Sequence, residues 1–264
     1  MQNILVATDF STNADAAMRY AWHLVLPFAQ KFVLFNAQEE GHLAKAAEHE
    51  LLARQKSLQV LNPNNITIKG HLSTKPLTEG LLEAIQTEEI DAVFVGMRGL
   101  SAIEELLIGS SAVKILNEVE QPIFVIPPNM SFKEIDKILF ANDLSKKYTQ
   151  NTLAPLMQVA RQYTATVRLV NIRLRGEQTD AEEEEINRKR LANYFEIEQV
   201  SYAFKTITSE SVIEGLLYYI GYKGDHDMLV MVTHKRNWFE KLFGISYSNQ
   251  LATQAIMPML ILKE

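Results

Sequence analysis

Gly96-Met-Arg-Gly99-Leu-Ser-Ala-Ile-Glu-Glu-Leu-Leu-Ile-Gly109-Ser110-Ser111 is the stretch from which the fold can be read outward in both directions. Before it runs the apolar Ala92-Val-Phe-Val95, short enough for a buried strand, and after it Ala112-Val-Lys-Ile-Leu116 has helical spacing. Glycine at 96, 99 and 109 removes the Cβ that would keep a ligand from the main chain and permits positive φ. A helix opening at Gly109, Ser110 and Ser111 presents unpaired N–H groups, hydroxyls and the positive end of its dipole, a combination that favours an anion. These residues therefore read as a phosphate cradle between a strand and a helix; the alternative is that the glycines serve tight turns alone. Neither GxxxxGK[ST] nor GxGxxG is present in the chain.

Further out, the chain repeats itself. Asn3-Ile-Leu-Val-Ala-Thr-Asp9-Phe-Ser11 returns as Lys137-Ile-Leu-Phe-Ala-Asn-Asp143-Leu-Ser145, displaced by 134 residues. Glu79-Gly-Leu-Leu82 returns as Glu214-Gly-Leu-Leu217 at 135, and Pro122-Ile-Phe-Val-Ile126 as Pro258-Met-Leu-Ile-Leu262 at 136. A near-constant displacement over the full length means two copies of one domain, 1–130 and 131–264, joined around Pro127 and Pro128. In each copy short apolar runs alternate with longer segments of helical period, the pattern of a parallel sheet covered on both faces. The first copy predicts strands near 3–8, 31–37, 66–71, 91–95 and 122–126 and helices near 13–29, 41–61, 76–88 and 110–119. The second predicts strands near 137–142, 166–172, 199–205, 228–232 and 258–262. The expected fold is α/β, two tandem doubly wound five-stranded parallel sheets, Rossmann-like, in order 3-2-1-4-5. Asp9 after the first strand and Gly96 after the fourth then face one crevice, at the switch point where such sheets bind ligands.

These residues resemble the universal stress proteins, in the form that carries two copies in one chain. Residues 96–110 match the Gly-x2-Gly-x9-Gly-(Ser/Thr) pattern of that family's ATP-binding members, and the opening Ile4-Leu-Val-Ala-Thr-Asp9 and closing Pro122-Ile-Phe-Val-Ile126 are similar to the family as well. The resemblance implies that Asp9 contacts adenosine, that backbone near Asn36 and Ala37 meets adenine, and that Val95 lies against the sugar. Gly96, Gly99, Gly109, Ser110 and Ser111 would hold the phosphates of ATP, with Mg accompanying them. Arg98 is either a further phosphate contact or a solvated surface charge. The family's habit of pairing last strands implies a pseudo-dimer within the chain, and a homodimer is a further arrangement open to it.

The second copy departs from the pattern: Val232, Lys235 and Ile245 stand where the glycines would, and only Ser246 survives. Branched carbons there block the approach of phosphate oxygen to main-chain N–H, so no ATP is expected in this half. Asp143 persists although the glycines have gone, which keeps open a purely structural role, as turn former or helix cap, for Asp9 too. Thr233-His234-Lys235-Arg236-Asn237-Trp238-Phe239 is either a receptor for another ligand or partner, or a surface loop with packed aromatics.

With 264 residues, no cysteine and a net charge of −6, the chain has no disulfide or thiolate metal site and is not expected to bind nucleic acid. No cleavable leader and no apolar run of membrane length is visible, so the expected location is cytoplasmic, away from membranes. The six histidines lack metal spacing, with His42 and His49 the nearest approach to a pair, and no metal site is expected. There is no Gly-x-Ser-x-Gly elbow, and no catalytic residue is assigned. The leading expectation is an ATP-binding regulatory protein of the stress response that binds an unknown protein partner. The alternatives are a slow ATPase, in which Asp9, Glu104 or Glu105 would serve, and a scaffold that uses no nucleotide.

Overall fold

A computed structural model describes residues 1–38, 43–97, 110–176, 178–233 and 257–264. Two compact units divide between Phe132 and Lys133. In the first, β1 (Asn3–Ala7), β2 (Lys31–Ala37), β3 (Thr67–Ser73), β4 (Ala92–Gly96) and β5 (Ile123–Ile126) alternate with α1 (Thr12–Val25), α2 (Leu43–Val60), α3 (Leu77–Thr87) and α4 (Ser110–Glu118). All strand pairs are parallel, in the order β3-β2-β1-β4-β5. The second unit contains β6 (Lys137–Asn142), α5 (Gln150–Gln162), β7 (Thr166–Leu174), α6 (Ala181–Ile197), β8 (Tyr202–Ser209), α7 (Val212–Lys223), β9 (Met228–Thr233) and β10 (Met259–Lys263). Its parallel order, β8-β7-β6-β9-β10, is the same winding. The α/β fold and strand order expected from the sequence are those observed.

The core of each sheet explains why. Ile4, Leu5, Val6, Phe32 to Phe35, Val93 and Phe94 are wholly buried, as continuous apolar runs covered on both faces must be. Phe94 stacks on Phe124 across the β4–β5 pair, with centroids 4.3 Å apart. Burying one such side chain contributes about 1.5–3 kcal/mol.

Helix α1 begins where the Ser11 side chain accepts a hydrogen bond from the Ala14 N–H at 3.2 Å, which satisfies one of the orphan donors of its first turn. It ends at Val25 rather than near 29, because Pro27 has no N–H to continue the ladder. Strand β8 starts at Tyr202, three residues later than expected, because α6 closes with a left-handed cap. Gln199 takes φ 55° and Val200 N–H bonds Phe195 O at 3.0 Å. The same cap, without glycine, closes α3 at Glu89 (φ 51°) and α5 at Thr164 (φ 53°).

Two repeated residues show what the duplication preserves. A Cβ on Gly80 would lie 2.1 Å from Ser73 Oγ, and one on Gly215 would lie 2.7 Å from Ile172 Cγ2 and 3.0 Å from Ser209 Cβ. Helices α3 and α7 thus sit on their sheets at a distance only glycine allows. Asp91 accepts hydrogen bonds from Gln2 and Asn3 N–H at 2.6 and 2.9 Å, and Asp227 accepts from Asp136 and Lys137 N–H, both at 2.9 Å. In each unit an aspartate ahead of the fourth strand therefore fastens the entry of the first.

Candidate functional site

The site is built where β1 and β4 part. Beyond their carboxyl ends Asp9, Asn36, Ala37, Val95, Gly96 and Ser111 line one cleft of about 220 Å³, joined by Thr8, Ser11, Asn13, Phe35, Leu77, Met97, Ala112 and Ile115. Six of the ten residues singled out in the sequence are thus brought together. Arg98, Gly99 and Gly109 lie outside the described residues, as do Glu104 and Glu105. Ser110 is the first residue of α4, and only its backbone is described.

Each wall has a local cause. Asp9 Oδ1 accepts from Ser11 N–H at 3.0 Å, closing a turn that lets α1 start directly after β1. Asp143 Oδ1 accepts from Ser145 N–H at 2.9 Å in the same way, so the turn role is common to both units. Phe10 within the first turn takes φ 63°, and Arg54 holds it there. The guanidinium donates to Phe10 O at 3.2 Å and lies 4.9 Å from that ring's centroid, while its Nε donates to Asp15 at 2.6 Å. Burial opposes the Arg54 charge, but Asp15 and Glu50 outweigh it and raise its pKa.

Gly96 carries a structural reason of its own. A Cβ at this position would stand 3.1 Å from Asn13 O and 3.4 Å from Ala17 Cβ, so the glycine admits α1 close against β4. Its Cα site borders the cleft, but the space a side chain would take is already held by α1.

Asn36 is the polar residue deepest in the cleft, only 5% exposed. Its Nδ2 donates to Thr8 O at 2.8 Å, while Oδ1 is buried without a hydrogen-bond partner among the described residues. A buried carbonyl oxygen without a donor costs about 1–3 kcal/mol. The sequence marked Asn36 only through its neighbouring backbone; the orphaned side-chain oxygen is a property of the fold. Thr8, Leu77 and Ile115 were not foreseen, because the sequence cannot show which residues of four separate elements meet at one strand end. No cationic side chain lines the cleft among the described residues. An anion there would be met by the N-terminus of α4, with Ser111 exposed beside it.

In the second unit, Val232 occupies the β9 position equivalent to Gly96. Lys235, Ile245 and Ser246 fall outside the described residues, as do residues 234–239 of the basic aromatic stretch. His42 does as well. No described helix is long and apolar enough to cross a membrane.

Similar proteins agree with this architecture. A universal stress protein from Archaeoglobus fulgidus DSM 4304 superposes with a TM-score of 0.71 at 13% identity, over 100% of this chain and 99% of that one. The cytoplasmic domain of a prokaryotic cation chloride cotransporter matches with a TM-score of 0.63 at 9% identity, over 99% of this chain and 95% of its own. At such identities the likeness is one of fold, and a fold shared by these two proteins does not fix function. No curated protein matches the sequence. The model of the universal stress protein family does match, over residues 1–127, the span that holds the β1–β4 cleft and the three glycines. The match places the first unit, residues 1–127, in the universal stress protein family.

Proposed function

We propose that the first unit binds an adenine nucleotide, ATP with Mg, and that the chain is a nucleotide-responsive regulatory protein of the stress response. The observation that carries this reading is the β1–β4 cleft itself. It joins apolar walls at Val95, Leu77 and Ile115 to the start of α4. The apolar walls suit a flat ring, and the helix start suits a phosphate tail. Gly99 and Gly109 complete the cradle in the sequence, and Arg98 supplies the cation that the described lining lacks. The second unit, with Val232 at the first of these places, does not take ATP in this manner.

Nucleotide binding acts on the protein only to the extent that it differs between two states, and the loop between Gly96 and Gly109 is the element we assign to that change. We assign no residue to catalysis; Asp9 commits Oδ1 to its turn, as Asp143 does in the second unit. Calorimetric titration of ATP with Mg into the wild-type chain and Gly109→Val tests the reading. Saturable binding by wild type, weakened at least tenfold in the variant, is expected. Equal affinity of the two proteins overturns it. Steady-state phosphate release above about 1 s⁻¹ would instead make the protein an enzyme.

A further inference from the structure

After its first strand the first unit continues Ser11-Thr-Asn-Ala-Asp15 and the second Ser145-Lys-Lys-Tyr-Thr149, so one carboxylate has given way to two lysines. The local structure differs as well. Residues 12–15 form the first turn of α1, whereas α5 begins only at Gln150, with Thr149 Oγ1 accepting from Thr152 N–H at 3.1 Å. Beside this later start lies a groove of about 170 Å³, between the β6–α5 loop, the beginning of α5 and α6. Lys146, Lys147 and Arg190 line it, with the buried Leu153 and Leu191 as apolar wall.

The arginine is placed by a change in how the helix holds the loop. In the first unit Arg54 on α2 donates to Phe10 O, and Asp15 and Glu50 neutralise it. In the second unit the corresponding carbonyl, Leu144 O, accepts instead from Asn187 Nδ2 on α6 at 3.0 Å. Asn187 Oδ1 in turn accepts from Arg190 NH1 at 3.1 Å. Asn187 is 4% exposed, so the arginine is steadied from inside the fold while its own side chain stays at the surface. Most of its five N–H donors remain for a ligand, in the planar fork that suits an oxyanion. Three and four residues away along α6 stand Ile186, Asn187, Asn193 and Tyr194, none of them acidic. No carboxylate lines the groove among the described residues. Three cations thus share one small cavity with no opposite charge in its lining.

Size and charge together select the ligand. The groove is smaller than the about 300 Å³ at which sites for drug-sized molecules begin, so a nucleotide does not fit. A phosphate group brings about −1.5 to −2 charge and three acceptor oxygens, a match for three cationic side chains. Gln150, the first residue of α5, also lines the groove and adds the positive end of the helix. We propose that the groove between the β6–α5 loop and α6 is a binding site for a single phosphate group, held by Lys146, Lys147 and Arg190. It shares Lys146, Lys147 and Tyr148 with the cleft at the ends of β6 and β9, but its other lining residues all belong to α5 and α6 and none to a strand. The site does not depend on the nucleotide reading of the first unit.

The test is calorimetric titration of the full chain with inorganic phosphate, glycerol 3-phosphate and acetate, each to millimolar concentration. The buffer contains about 0.1 M chloride, which screens exposed charges beyond about 10 Å. Saturable binding of a phosphate is expected, and the tighter of the two phosphate probes tells whether the source is the free ion or a monoester. Arg190→Gln and Lys147→Gln should each weaken binding at least tenfold, about 1.4 kcal/mol, close to one hydrogen bond to a charged group. Lys189→Gln removes the same charge from the next residue of α6, which pairs with Glu185 at 3.6 Å and does not line the groove, and should leave the affinity unchanged. Gly109→Val in the first unit should also leave it unchanged. Lys147, Lys189 and Arg190 are exposed, so their substitution leaves the core intact. The absence of saturable phosphate binding, acetate bound as tightly as phosphate, equal losses in Lys189→Gln and Arg190→Gln, or loss of binding in Gly109→Val overturns the proposal.

Discussion

Gly80 and Gly215 carry the same constraint at corresponding places, and a single added carbon measures it. Gly80→Ala puts a Cβ 2.1 Å from Ser73 Oγ, an overlap that only a displacement of α3 or of the serine relieves. We expect a loss of about 1–3 kcal/mol in urea unfolding, with most of it restored by adding Ser73→Gly. Unchanged stability in the single variant would show that α3 moves freely on the sheet. His226 makes a second residue-level prediction. Its imidazole is fully buried, and neither ring nitrogen has a hydrogen-bond partner among the described residues. Burial, then the charge of Arg168, depresses its pKa below 6.5, against the partial support of Asp225. The unfolded chain therefore takes up this proton before the folded one, and stability present above about pH 6.5 is lost as pH falls below it. Unfolding free energies measured at pH values above and below that point should show this decline, and His226→Leu should flatten it. A slope that persists unchanged in the variant would assign it to other groups.

Among the elements, the ends of the helices separate what the sequence made legible from what it did not. An aspartate directly ahead of a helical run has the chemistry of a cap, and Asp180 accepts from Glu182 and Glu183 N–H at 3.0 and 3.1 Å. Asp180→Ala should cost about 0.5–2 kcal/mol and raise amide exchange in the first turn of α6. Exchange there no faster than in wild type would contradict the assignment. Apolar runs likewise located the central strands, because a strand buried on both faces has to be apolar, whereas the edge strands β3 and β8 are half-exposed and carry polar residues. The left-handed caps at Glu89, Thr164 and Gln199 were not legible, since these residues carry none of glycine's preference and take the conformation only because the next strand must start there. The clasps made by Asp91 and Asp227 were equally hidden. Nothing local marks an aspartate whose partners are N–H groups 89 or 91 residues away.

In the molecule as a whole, one winding occurs twice and its two switch points have diverged. The position of the first cleft could be read from Asp9, Gly96 and Ser111, because strand order alone sends strand ends one and four to the same crevice. The chemistry of its floor could not, since the orphaned oxygen of Asn36 depends on a hydrogen bond to Thr8 across two strands. Nor could the sequence separate the two roles of Gly96, which makes room for α1 as well as bordering the cleft. The central claim is that the divergence is functional, leaving a polyphosphate site in the first unit alone. Equilibrium titration of the full chain with ATP and Mg, read as moles bound per mole of protein, addresses it directly. One equivalent per chain, reduced to none by Gly109→Val at the same ligand concentration, is the predicted result. Two equivalents, or one that survives Gly109→Val, would contradict the account.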